Sequence, residues 1–367
     1  MVPRCRWQSG QNRVAPINKM KLQTKILQTA LTYLARLNSR SRSLPILSCV
    51  KLEAKADVLT ASFSNLDEYR QERVPCVGGL ECVCVNLSAL QNAAGGEECD
   101  LTLDGNKLVV SWGRNAIKLP TMDPEEFPAM PTMDSKAIGV NCSDLADGID
   151  AVAWCASKDI SRYQLQSVHL IGEAKGGLTC ESTDGHRLAI WKMPAVAADF
   201  EAVVPDSSAG NFAGALRREK ATLGVSENAV FVHHEGGFYH TKQIDGKYPN
   251  TNQVIPGSAK EIGNVSVPAL SSIVARCCAF PNPHNIGLHM AFGPCGAEFT
   301  MATDDDISLT LDGDFKAFKT AMNCKDFRDC VSNITTLTVK LSGVNKVSPL
   351  VMESGNLMIL QMPVRLV

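Results

Sequence analysis

His186 and Arg187 are the residues of this chain whose types and spacing first suggest chemistry. They follow Asp184-Gly185 within the stretch Thr179 to Met193, so a carboxylate, an imidazole and a guanidinium share one short turn. Such a set could serve a hydrolase, with His186 as base and Asp184 as its orienter. A base needs a nucleophile or a metal beside it, and the chain holds no G-x-S-x-G and no H-E-x-x-H. Its fourteen cysteines include Cys82-x-Cys84 and Cys277-Cys278 but no C-x-x-C pair that would clamp zinc. We therefore read the turn as a polar feature shaping a surface pocket, with the hydrolase kept as an alternative. No metal ligand set and no cofactor motif is expected.

The elements around the turn explain its position. Gly177 to Ser182 and Leu188 to Trp191 are β-prone runs, and Asp-Gly between alternating apolar residues signals a hairpin because its backbone accepts positive φ. His186 and Arg187 then sit at the mouth of the hairpin.

Composition sets the frame. A chain of 367 residues, 45% hydrophobic and 20% charged, predicts two or three globular domains with ample core. Its net charge of −2 advertises no affinity for nucleic acid, and no apolar run approaches membrane-spanning length. Without a secretory signal the cysteines read as small core residues in a reducing cytoplasm. Met1 to Lys19 carries Arg4, Arg6, Arg13 and Lys19 and no acid. It reads as a flexible extension, with an organelle transit peptide or a mis-assigned start as alternatives.

From Met20 one order of elements recurs. A strand (Met20 to Thr24) leads to a helix (Lys25 to Asn38) whose Ile26, Leu27, Ala30, Leu31, Leu34 and Leu37 share a face. Strands follow at Val50 to Ala54, Val58 to Phe63 and Glu68 to Val74, then a helix (Asn86 to Ala94) stopped by Gly95-Gly96. A meander closes this round, with strands Asp100 to Leu103, Leu108 to Trp112 and Ala116 to Leu119. After the Pro-rich linker Pro120 to Pro131 the order returns with helices at Ser143 to Ser157 and Ser207 to Arg217. It returns again with helices at Pro268 to Cys278 and Cys324 to Asn333. The interval is roughly 120 residues, so an internal repeat precedes any local assignment. Two helices covering one face of amphipathic strands give an α+β unit. The expected division is an extension over 1–19 and units over 20–134, 135–257 and 258–367.

Several peptides now carry a resemblance. Ser182-Thr-Asp-Gly-His-Arg-Leu-Ala, Met362-Pro-Val-Arg-Leu, Leu44-Pro-Ile-Leu and Asp245-Gly-Lys-Tyr-Pro-Asn stand in one order. Gly113-Arg114, Phe127-Pro128 and Val203-Val204-Pro205 fall between them. Together they resemble the bacterial DNA polymerase III beta subunit family, the sliding clamps, over about Met20 to Leu366. The resemblance implies three DNA-clamp domains per subunit and a head-to-tail homodimer ring in the bacterial cytoplasm, at the nucleoid. Helices would line a hole for double-stranded DNA, encircled without sequence readout. It implies no catalytic activity, no cofactor and no membrane. The implied partners are the DNA polymerase III catalytic subunit, the clamp loader and other proteins bearing a clamp-binding motif.

Site residues are carried over by position. A peptide groove is implied at Leu165, Thr183, Gly185, His186, Arg187, Leu188, Pro249, Gln253, Val254, Asn323 and Val347. Met362, Pro363, Val364, Arg365 and Leu366 would complete it. Two departures bear on which peptides are preferred: Gln253 stands where the family has Arg, and Asp326 where it has an aromatic. DNA contacts would come from Lys25, Arg36, Arg40, Arg42, Arg217, Arg218 and Lys220, which attract phosphates without reading bases. Asp144, Asp147 and Asp150 on the helix near Ser143 sit awkwardly beside them. The dimer seam would use Ile117 and Leu119 against Ala279 and Phe280. The alternatives are a clamp paralogue with altered partners and a β-rich module holding a small ligand.

Overall fold

The structure, a computed structural model, describes residues 18–37, 44–132, 137–194, 199–279, 287–301 and 307–364. The expectations for residues 1–17, Arg40, Arg42, Phe280, Arg365 and Leu366 lie outside them. The chain divides into two compact units, one ending at Thr132 and including Glu235–His240, the other taking the remainder. The fold is α+β, with mostly antiparallel sheets and six α-helices among the described residues.

In the first unit, helix α1 (Thr24–Ala35) buries Leu27, Ala30, Leu31 and Leu34. That i, i+3, i+4, i+7 spacing gives the stripe one helix face offers a sheet. Ile26, assigned from sequence to the same face, is 39% exposed. It lies one position before Leu27, and 100° per residue carries it off the stripe. The helix ends at Ala35, where the expectation was Asn38. Helix α2 (Leu87–Ala93) starts at Asn86, whose side chain accepts the backbone N–H of Ala89.

Eight strands accompany these helices, in the spatial order 19–23, 98–104, 107–112, 115–122, 77–86, 49–55, 58–64 and 68–75. The strand Lys19–Gln23 pairs Glu98–Asp104 and, on its other side, Val77, Gly78 and Gly79. Residues Asn115 to Pro120 of the strand Asn115–Met122 pair with Lys107–Trp112. Its other neighbour, Val77–Asn86, meets only Thr121 and Met122, so its first residues form an open edge among the described strands.

In the second unit, helix α3 (Cys142–Ala153) packs on α4 (Asp206–Leu216), and α5 (Val267–Cys278) on α6 (Cys324–Ser332). Leu145, Ile149 and Val152 of α3 are buried. An eight-stranded sheet runs in the order 200–205, 167–173, 177–183, 187–193, 357–361, 350–354, 338–343 and 260–266. The expected boundary at 257/258 falls inside this unit, because Arg187–Met193 pairs directly with Leu357–Gln361. A four-stranded sheet follows the order 307–311, 296–301, 287–293 and 318–323.

The thirteen cysteines among the described residues are all free, and most are buried. Burial pushes thiols such as Cys155 and Cys180 upward and keeps them protonated. The thiols of Cys278 and Cys324 lie 2.7 Å apart where α5 ends and α6 begins.

Candidate functional site

The hairpin forms as its sequence dictates. Gly177–Thr183 and Arg187–Met193 pair from Leu178↔Met193 to Thr183↔Leu188. Gly185 takes φ +89°, and a Cβ there would approach a guanidinium nitrogen of Arg162 to 2.8 Å. The positive φ selects glycine, whereas the arginine tip could move aside.

Asp184 organises the turn. Its Oδ1 accepts the backbone N–H groups of His186 (2.9 Å) and Arg187 (2.7 Å). Its Oδ2 accepts Nε and Nη2 of Arg187, at 2.9 and 2.7 Å. Both oxygens are thus engaged, and neither bond goes to the His186 ring. The hydrolase reading loses its orienter: Asp184 holds Arg187.

Arg187 in turn reaches α6, with Nη1 3.2 Å from Asp329 and 3.8 Å from Asp326. Its guanidinium lies 5.6 Å from the centre of the Trp154 ring. Burial alone would lower its proton affinity, but the bonds and charge of Asp184 and then Asp326 outweigh that and raise it. Asp326 does not mirror this. Burial pushes its carboxyl up, and the pull of Arg187 does not offset it. The distances give the reason: Arg187 serves Asp184 first.

Beside the turn lies a cavity of about 330 Å³. Leu165, Thr183, Gly185, His186, Arg187, Leu188, Pro249, Val254 and Met362 all line it. Of the residues proposed from sequence, these nine are brought together. Asn250, Thr251, Pro349 and Leu360 also line it and were missed. Leu360 pairs in register with Leu188, and both sit in an apolar cluster with Ile190 and Val351 that forms the floor. The backbone N–H of Met362 donates to the carbonyl of His186 (2.9 Å), fixing the tail to the turn.

One wall is held from behind. Thr251 starts the short 3-10 turn Thr251–Val254 and donates to Glu181 Oε2. The other oxygen of Glu181 is 2.8 Å from Nδ1 of His169, whose Nε2 is 2.9 Å from Glu201. His169 stacks on Tyr248 with ring centres 4.5 Å apart. Glu181 and His169 are buried, so their polar atoms require these partners.

The remaining groove residues lie elsewhere. Gln253 is exposed on the 3-10 turn and does not line the cavity. Asn323 caps α6, its Oδ1 accepting the N–H of Asp326 at 3.1 Å. Val347, Pro363 and Val364 line a separate, larger cavity that shares Met362 with the first.

The basic residues proposed for DNA are scattered in role. Lys25 is exposed on α1, and the guanidinium of Arg36 lies 5.0 Å from the Tyr33 ring centre. Arg217 bridges two acids of α3, with 2.7 Å contacts to Asp147 and to Asp150. The bond to Asp147, then that to Asp150, raises its proton affinity. One guanidinium thus offsets part of the charge of Asp147 and Asp150, and Asp144 stands outside the pairing. Arg218 and Lys220 lie in the turn after α4, where Lys220 takes φ +56°. Of the seam residues, Ile117 is 39% exposed, Leu119 is buried and Ala279 is exposed. Among the described residues no group of histidine, cysteine and carboxylate side chains could hold a metal ion. No helix there is long and apolar enough to cross a membrane.

Residues 139–250 match the family described as DNA polymerase III beta subunit, central domain. The beta sliding clamp of Caulobacter vibrioides is 24% identical over 353 residues, covering 90% of this chain and 94% of that one. The beta sliding clamp of Rickettsia felis is 27% identical over 255 residues, covering 66% and 67%. Among solved structures, the Pseudomonas aeruginosa sliding clamp bound to griselimycin superposes with a TM-score of 0.88 at 19% identity. It covers 95% of this chain and 99% of that one. The Bacillus subtilis DNA polymerase sliding clamp gives a TM-score of 0.86 at 17% identity, covering 96% and 100%. The fold is that of a DNA clamp. Residues 139–250 carry the match to the central domain of DNA polymerase III beta subunits, and most of the chain is similar to bacterial beta sliding clamps.

Proposed function

We propose that this chain is a replicative sliding clamp without catalytic activity of its own. Three clamp domains, over residues 20–134, 135–257 and 258–367, make one subunit. Two subunits join head to tail into a ring around duplex DNA. The ring tethers the polymerase, the clamp loader and other partners by short peptides bound at the Asp184-Gly185 hairpin.

The cavity beside Met362 carries this reading. Its walls are Leu165, Leu188, Val254, Leu360 and Met362, which can bury apolar side chains of a peptide. Arg187 and His186 stand at the same cavity and supply polar direction. The open edge at Asn115–Pro120, with Ile117 exposed on it, supports a seam in which sheets of two subunits join. The contact would pair unlike surfaces, and two such contacts close a ring.

Fluorescence polarisation tests the pocket, using a labelled peptide with Gln followed by spaced Leu and Phe. Removing residues 362–367 takes away the Met362 wall. The truncated protein should lose binding while keeping its solution mass. Unchanged affinity would rule out this site.

A further inference from the structure

The apolar cavity is not the end of the concave surface at Met362. On the far side of that residue a second cavity of about 970 Å³ opens over the four-stranded sheet. Alternation along the strands determines what it presents. Leu288, Met290, Phe292 and Phe299 point into the core, so His289, Ala291, Glu298 and Thr300 take the opposite face. Lys319 and Ala321 stand opposite Ala291 and His289 on the neighbouring strand. The tail crosses this face, with the Val364 N–H donating to the carbonyl of Ala321 at 2.9 Å. Lys346 and Val347 line the other side.

We propose that this second groove takes an acidic segment flanking the hydrophobic motif of the partner peptide. The inference rests on the peptide reading of the first cavity. Two observations carry it. The grooves share Met362, so a chain seated in the first can pass directly into the second. The second groove is also basic. Lys319 and Lys346 are exposed in it, and neither forms an ion pair among the described residues. Among the described residues that line it, the one acid is Glu298, which accepts a hydrogen bond from the Ser308 hydroxyl at 2.9 Å. Carboxylates on an incoming peptide would meet two lysines in a concave site, partly shielded from water. A basic segment would meet like charge, which selects against the wrong partner.

The test compares three peptides: the core motif alone, the core with a run of Asp and Glu at either end, and the core with a neutral run of equal length. The acidic extension at one end should tighten binding roughly three- to tenfold at low ionic strength, the range of one or two exposed ion pairs. The gain should fade as salt rises. It should vanish in the double variant Lys319→Glu, Lys346→Glu, which should bind the core peptide as the parent does. An acidic extension no better than the neutral one at both ends, with core binding intact, overturns this inference alone. So does a gain that survives in the double variant. Loss of core-peptide binding in the parent protein overturns both readings.

Discussion

Arg187 sets two nitrogens against a single oxygen of Asp184, Nε at 2.9 Å and Nη2 at 2.7 Å, across a turn of four residues. The other oxygen holds the backbone of the same turn. One carboxylate therefore fixes both the shape of the hairpin tip and the direction of the guanidinium at the pocket rim. The remaining reach of Arg187, to Asp329 and Asp326, ties that rim to the start of α6.

Asp184→Ala should accordingly act on stability and binding together. It strips a largely buried guanidinium of its first partner and leaves two turn N–H groups without an acceptor. We expect a loss of about 2–4 kcal/mol, since breaking a buried pair is costly but Asp329 remains. Peptide affinity should fall as well. Asp184→Asn keeps an oxygen for the turn and should recover most of the stability. Thermal denaturation and polarisation on the two variants check this.

Asp326 predicts a pH dependence of stability. Burial raises its carboxyl, against the pull of Arg187. The folded state then holds that proton more tightly than the unfolded state, so stability falls as pH rises through the shifted range. Asp326→Asn should raise the melting temperature at neutral pH, and the gain should shrink as pH falls towards about 4, the ordinary carboxylate value, and be absent below it. A lower melting temperature at neutral pH would mean that attraction to Arg187 dominates.

Glu181 is expected to support the pocket without touching the peptide. It joins Thr251, on the cavity wall, to His169 behind it. Glu181→Ala leaves buried polar atoms unpaired and should cost about 2–3 kcal/mol. Thr251→Val removes only the wall's own bond, so its stability loss should be smaller. Weaker peptide binding in Thr251→Val at near-parental stability would separate positioning from folding, and parental affinity there would contradict it.

Arg217 offers a test of the proposed DNA contacts. Asp147 and Asp150 hold it in exposed ion pairs, which contribute little to stability. The double variant Asp147→Asn, Asp150→Asn should leave the fold intact and strengthen association with linear duplex at low salt. If the freed guanidinium meets a phosphate, the slope of log affinity against log salt should steepen by about one. An unchanged slope would place Arg217 away from DNA.

The seam is tested by Ile117→Lys. Charge on that open edge should shift the protein towards monomer in sedimentation, because in the proposed ring both contacts would carry the change. Parental sedimentation at low concentration would put the seam elsewhere.

How far the sequence carried depends on how local each signal is. The Asp-Gly hairpin was legible because two residues fix its turn. Helices α1 and α3 were legible from apolar spacing and α2 from its Gly-Gly stop, while α4, α5 and α6 recurred at the roughly 120-residue interval. The strand Val77–Asn86 was missed: Gly78-Gly79 reads as a breaker, while Gly78 in fact takes φ +106° tight against Lys19. The strand Phe200–Pro205 and the four-stranded sheet were also unread, their runs being short and mixed. Leu360 joined the pocket only through its register with Leu188, which no local pattern contains. The pairing of Arg217 with Asp147 spans 70 residues and was equally out of reach.

Retention on circular DNA tests the central claim most directly. Labelled protein is closed onto a nicked circle by a clamp loader and passed through gel filtration in moderate salt. The circle is then cut once. A net charge of −2 argues against tight contact, so the proposed ring would hold DNA by topology. The protein should co-elute with the circle and leave the linear form, while adding poorly to linear duplex directly. Equal retention on circular and linear DNA would contradict the ring and leave an ordinary DNA-binding protein.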